Sequence, residues 1–224
     1  MLTILLMVRI LISAVDSHLP ESRLGIDILS RLPQETVGHI REQRNRKDIS
    51  RSLAAYSLLF QFLDSLGIDP GDVLLKNGPH GKPELQKPEG VFFNCSHSGE
   101  WAICGVSRYP VGVDMEEISF PIDDSVYVYL HPKEREYLES YPKELRNEKF
   151  IGLWTYKEAY LKALGCGLLR DPASFAIVSS CQGKMRVEDP SCPHGTTPLI
   201  MQKHDLPGFS VAACLLFPDA GLRE

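Results

Sequence analysis

Glu158 and Lys162 stand four residues apart in Trp154-Thr-Tyr-Lys-Glu-Ala-Tyr-Leu-Lys162, a stretch with helical patterning, so one helix face presents a carboxylate and an ammonium together. Upstream, Gly112-Val-Asp-Met-Glu116 has strand spacing, and period-two alternation puts Asp114 and Glu116 on the same side of a strand, roughly 7 Å apart along it. Three carboxylates supply the hard oxygen donors that suit Mg²⁺, and a nearby lysine suits a phosphate. The chemistry this set points to is metal-assisted reaction of a phosphorylated substrate. Taken alone, each pair is ordinary. Glu four residues before Lys decorates many exposed helices and contributes only about 0.2–0.5 kcal/mol, and Asp114 with Glu116, beside Glu117, is also compatible with a solvated strand end.

Phe93-Asn-Cys-Ser-His-Ser-Gly99 places hydroxyls, an amide and an imidazole at the end of a strand, where they can face an anion or simply form a polar turn. A Ser–His nucleophilic pair is disfavoured here, because adjacent residues on an extended segment point in opposite directions and no Asp is placed to orient His97. Arg41, Arg44, Arg46, Lys47 and Arg51 crowd the start of a long helix, where the positive end of the dipole repels cations. That placement makes sense if an anion docks there, or if Glu42 and Asp48 moderate a solvated entry to the helix. Cys181, Cys192, His194 and His204 match no closed zinc spacing.

Elements must hold these groups in place. Asp48 reads as the N-cap of a helix to about Leu66, with Ile49, Leu53, Tyr56, Phe60 and Leu63 on its apolar face and Gly67 as its stop. A second long helix reads from Glu144 to Leu164, ended by Gly165, after a charged helical stretch from Asp123 to Tyr141 in which Pro132 starts a fresh helix. Strands read at 91–94, 101–107, through Asp114, at 174–179, 184–188 and 209–217, and the Pro-, Gly- and His-rich 181–207 reads as a loop excursion. Residues 1–15 read as a buried first strand rather than a signal peptide, since no basic segment precedes the apolar run and Arg9 interrupts it.

With 224 residues, 43% of them hydrophobic, the chain can build a sizeable core as one large domain or two halves. A formal charge of −5 argues against a general nucleic-acid binder, and no segment approaches the roughly 20 apolar residues of a membrane span. The six scattered cysteines lack a C-x-x-C pair and read as reduced thiols of a cytoplasmic protein.

Gly81-Lys-Pro83, Phe93 to Gly99, Gly112 to Glu116 and Trp154 to Lys162 together resemble, in order and spacing, the phosphopantetheinyl transferases of the surfactin-synthetase-activating type. The resemblance covers roughly residues 41–170. It implies an α/β (α+β) fold of two similar halves, 1–108 and 109–224, in a pseudo-twofold arrangement, each with a long helix on a small, mainly antiparallel sheet. It also implies a monomer that binds coenzyme A and Mg²⁺ in the cleft between the halves. The implied reaction transfers phosphopantetheine from coenzyme A to a serine of an apo acyl, peptidyl or aryl carrier protein. On the same basis Asp114, Glu116 and Glu158 are expected to hold Mg²⁺, Glu158 to serve as base, and Lys162 to pair with the pyrophosphate. Lys82, Ser96 and His97 are expected to contact phosphate and nucleotide, Arg51 and Ser52 the adenosine end, and Lys157 and Trp154 to support the site by packing. Glu116 and the doubled length point away from the small trimeric holo-carrier-protein synthases. Pro33 to His39 lacks the basic residues that family members often place there, so no ribose-phosphate ligand is carried onto it. Two alternatives stay open: a non-catalytic coenzyme A or nucleotide-binding scaffold, and another Mg²⁺-dependent phosphotransfer enzyme.

Overall fold

The aliphatic run Val8–Ala14 forms strand β1. It pairs antiparallel with β5 (Trp101–Ser107), which pairs antiparallel with β4 (Phe92–Ser98), giving the sheet order β1-β5-β4. The structure, a computed structural model, describes residues 8–78, 80–119, 123–179, 184–203 and 206–219. By its internal contacts the chain divides into two compact units, 1–111 and 112–224.

In the first unit, α1 (Arg23–Arg31) and α2 (Gln34–Glu42) lead into α3 (Arg46–Ser65), which packs on β1, β4 and β5. The expected stripe is the one that faces the sheet. Leu53, Phe60 and Leu63 are buried, and Ile49 and Tyr56 are partly buried against the same core. A short hairpin, β2 (Leu74–Asn77) with β3 (Pro83–Lys87), precedes β4. In the second unit, β6 (Val111–Glu117) leads through α4 (Pro132–Glu139) into α5 (Lys143–Leu164), then to the pair β7 (Ala176–Ser179) and β8 (Met185–Glu188), and finally to β9 (Thr196–Lys203) and β10 (Phe209–Pro218). The sheet order is β6-β10-β9, and α5 packs on β10. Both units therefore follow one plan. A strand comes first, a long helix follows, a two-stranded pair comes next, and the last strand inserts between the first and the penultimate one. The fold is mixed α/β with small antiparallel sheets.

Several local expectations change. The N-cap of α3 is Asn45, whose side chain accepts from the Lys47 amide at 2.9 Å, while Asp48 lies in the first turn and binds Arg51. β4 runs on through the polar Ser96, His97 and Ser98, because each pairs with an apolar residue of β5 and the ladder satisfies its backbone. The strand expected at 184–188 is β8, but the expected loop around it also contains a strand that was not anticipated, β9. Pro198 is tolerated in β9 because that strand lies at the edge of its sheet. Between 123 and 131 the chain forms a 3-10 turn, Asp124–Tyr129, before α4 begins at Pro132. β1 is half-buried rather than buried, as befits an edge strand, and residues 1–7 lie outside the described set. So do Cys181 and His204. Among the described residues the other five cysteines form no disulfide.

Candidate active site

Gly112 brings β6 and α5 together. A Cβ at this position would lie 2.0 Å from the Ala159 carbonyl oxygen and 2.3 Å from the Ala163 amide nitrogen, so only glycine lets the strand backbone touch the helix backbone. Two residues on, Asp114 is 3% exposed, and a buried carboxylate at that depth needs a counter-charge. Lys162 supplies it, its Nζ donating to Asp114 Oδ1 at 2.6 Å. One helical turn before Lys162 stands Glu158, whose Oε1 is buried with no hydrogen-bond partner among the described residues. Burial raises the Glu158 carboxyl above its ordinary range, with Lys162 pulling it back and Asp114 adding to the rise. Asp114, Glu158 and Lys162 are thus one electrostatic group. Glu116 follows on the same strand, half-buried.

The donor set suits a hard divalent cation, with a buried carboxylate oxygen that no donor among the described residues satisfies. Among the described residues no three His, Cys, Asp or Glu side chains are gathered closely enough to hold a metal ion. Lys162 sits against Asp114 instead.

The other anticipated contacts lie in the first unit. Lys82 Nζ donates to the Val111 carbonyl at 3.1 Å, and Ser96 and His97 are half-buried on β4. Arg51 Nε donates to the Gly99 carbonyl at 2.7 Å and its Nη1 pairs with Asp48 Oδ1 at 2.7 Å, which ties α3 to the β4–β5 turn. Ser52 exchanges hydrogen bonds with Gln43. Of the basic cluster, Arg46 pairs with Glu21 at 2.8 Å and Lys47 with Glu100 at 3.3 Å, so local carboxylates account for much of its charge.

Sequence reasoning missed Glu134. Lys157 and Glu134 form a fully buried ion pair, Nζ to Oε1 at 2.6 Å, and Lys157 also donates to the Phe175 carbonyl at 2.9 Å. Glu134 Oε1 accepts from the Ile177 amide at 2.7 Å and Oε2 from the His131 amide at 2.9 Å, so one carboxylate joins α4, α5 and β7. This pair locks the helix turn next to Glu158. Its only sequence trace is the capping-box position of Glu134 three residues after His131. Gly112 was legible in principle, because glycine inside a strand marks a close backbone approach.

Residues 110–214 match the model of the 4'-phosphopantetheinyl transferase superfamily. The chain is 37% identical over 135 residues to the 4'-phosphopantetheinyl transferase gsp of Aneurinibacillus migulanus, covering 59% of this chain and 56% of that protein. It is 30% identical over 176 residues to a 4'-phosphopantetheinyl transferase of Bacillus pumilus, covering 77% and 74%. To the 4'-phosphopantetheinyl transferase Sfp of Bacillus subtilis it is 29% identical over 154 residues, covering 68% and 67%. A solved holo-(acyl-carrier-protein) synthase from Bacillus anthracis in complex with CoA matches 48% of this chain and 95% of its own at 21% identity and a TM-score of 0.43. The chain belongs to the 4'-phosphopantetheinyl transferase superfamily. Within it, the chain is of the Sfp type.

Proposed function

We propose that this protein transfers the phosphopantetheine group from coenzyme A to a serine of an apo acyl or peptidyl carrier protein, releasing adenosine bisphosphate. The observation that carries the reading is the grouping of Asp114, Lys162 and Glu158, with a buried Glu158 oxygen that no donor among the described residues satisfies. Glu158, its carboxyl shifted toward neutral pH by burial, accepts the proton of the carrier serine as that oxygen attacks the β-phosphorus of coenzyme A. The P–O bond to the adenosine bisphosphate breaks as the new one forms. Lys162 exchanges Asp114 for a phosphate oxygen and stabilises the charge that builds there. Asp114, Glu116 and Glu158 are the residues that would hold Mg²⁺, which when bound neutralises the pyrophosphate and polarises its phosphorus. Lys82, Ser96 and His97 contact phosphate and nucleotide, and Arg51 and Ser52 shape the adenosine end.

The protein acts as a monomer in the cytoplasm, on a carrier-protein acceptor rather than on nucleic acid. Among the described residues no helix is long and apolar enough to cross a membrane. The test is mass spectrometry of apo fatty-acid, polyketide and peptidyl carriers after incubation with the protein, coenzyme A and Mg²⁺. The expected result is a mass gain of one phosphopantetheine on at least one carrier. Coenzyme A binding without any gain overturns the reading in favour of a scaffold.

A further inference from the structure

Cys95 and Cys104 face each other directly across the β4–β5 hairpin. The turn between these strands is the two residues Gly99 and Glu100, which makes Ser98 and Trp101 a pair that exchanges backbone hydrogen bonds. Hydrogen-bonded and non-hydrogen-bonded pairs alternate along an antiparallel ladder. Counting back from Ser98, Cys95 and Cys104 form a non-hydrogen-bonded pair, the kind whose Cα atoms approach to about 4.5 Å and whose side chains lie closest. A disulfide requires a Cα separation of about 4.4–6.8 Å. Both side chains point to the same face, where Cys104 belongs to the first unit's core and Cys95 packs against it. Neither thiol makes a strong bond that closure would forfeit, since Cys95 Sγ reaches the Ala55 carbonyl at 3.6 Å and Cys104 Sγ that of Gly105 at 4.0 Å.

We infer that Cys95 and Cys104 are an oxidation site, at which a hydroperoxide drives formation of a disulfide across the β4–β5 hairpin. The two thiols divide the chemistry by exposure. Cys95 is half-buried and can be reached, whereas Cys104 is fully buried and needs to reach only its neighbour. The Cys95 thiolate attacks one peroxide oxygen, the O–O bond breaks, and Cys95 becomes a sulfenic acid with release of water. The Cys104 sulfur then attacks the Cys95 sulfur, and the displaced hydroxide leaves as water with the Cys104 proton. Two thiols and one hydrogen peroxide give one disulfide and two waters. The sulfurs lose two electrons and the peroxide gains them. Burial pushes the Cys104 thiol up, so the second step depends on its fixed proximity to Cys95 rather than on a standing thiolate. The bond would brace the strand one residue before Ser96 and two before His97.

The experiment treats the full-length protein with hydrogen peroxide under native conditions, unfolds it in the presence of iodoacetamide, and maps the cysteines by peptide mass spectrometry. The expected product is a Cys95–Cys104 linked peptide pair lighter by two hydrogens, restored to two alkylated thiols by dithiothreitol. Cys104→Ala should abolish the linkage and leave Cys95 as an oxyacid, whereas Cys166→Ala should leave the linkage intact. In the wild-type protein alone, an oxyacid on Cys95 beside an alkylated Cys104, a linkage to any other cysteine, or two untouched thiols overturns the inference.

Discussion

Replacing Gly112 by Ala tests whether the contact between β6 and α5 sets the geometry of the candidate site. The added methyl would meet Ala159 O at 2.0 Å, Ala163 N at 2.3 Å and the Lys162 carbonyl carbon at 2.8 Å. All three are backbone atoms of α5, so no change of rotamer relieves the clash. Ordinary contact begins near 3.5 Å, and the strand and helix must therefore separate by roughly 1 Å or more. Overpacking of this kind costs about 1–3 kcal/mol. In a chain of this size each kcal/mol lowers the melting midpoint by about 2–4 °C, which gives a loss of about 2–12 °C. The Asp114–Lys162 bond, 2.6 Å long, spans the same two elements and must stretch with them. A misplacement of about 1 Å at a reacting group can reduce turnover by about 100-fold. Gly152→Ala is the matched control, because a Cβ there meets nothing within 4 Å and the substitution gains up to about 1 kcal/mol of helix propensity. Circular-dichroism melts and steady-state transfer assays on both variants decide the matter. Wild-type melting and turnover in Gly112→Ala would refute the reasoning, as would equal damage in the two variants.

Removing one partner of the buried Lys157–Glu134 pair, as Lys157→Met or Glu134→Gln, strands a charge or polar group in the core and should cost about 3–5 kcal/mol in urea denaturation. The double variant should recover much of that loss. A cost near zero for either single variant would show that the pair does not hold α4 and β7 to α5. In transfer kinetics, Glu158→Gln should lower kcat by about 10²–10³-fold at saturating coenzyme A, while His97→Ala should chiefly raise KM for coenzyme A. A kcat collapse confined to His97→Ala would make the histidine the base instead. Glu116→Gln should fail at low Mg²⁺ and recover in part at high Mg²⁺, and a defect indifferent to Mg²⁺ would remove Glu116 from the metal set.

Much of the second unit's site was legible because its signals are local. Glu158 and Lys162 advertise themselves by a four-residue spacing on a long periodic helix, and Gly165 marks its end by adopting the left-handed conformation expected of a helix stop. The pairing of Lys162 with Asp114 was not legible, since it joins residues 48 apart through a contact that Gly112 alone permits. Glu134 was hidden for the same reason, acting 23 residues from its lysine. Strand extent failed where polarity outweighed pairing in the reading, as at Ser96 to Ser98 and in the proline-broken β9, because cross-strand bonds stabilise residues whose own propensity is poor. The Asp48 cap was displaced by three residues because Asn45 offers the same chemistry one turn earlier, and sequence alone gives no means of ranking the two.

The placement of each unit's last strand at the centre of its sheet bears on how the chain is made. β5 fills the gap between β1 and β4 by residue 107, so the first unit's sheet can close before any strand of the second unit has been made. The second sheet has no middle until β10 emerges, ending at Pro218. Until then β6, with Asp114 on it, has no neighbour in its own sheet, and its edges stay open to unwanted pairing. On the ribosome the vulnerable interval therefore belongs to the half that carries Asp114, Glu116 and Glu158, and it ends only with β10.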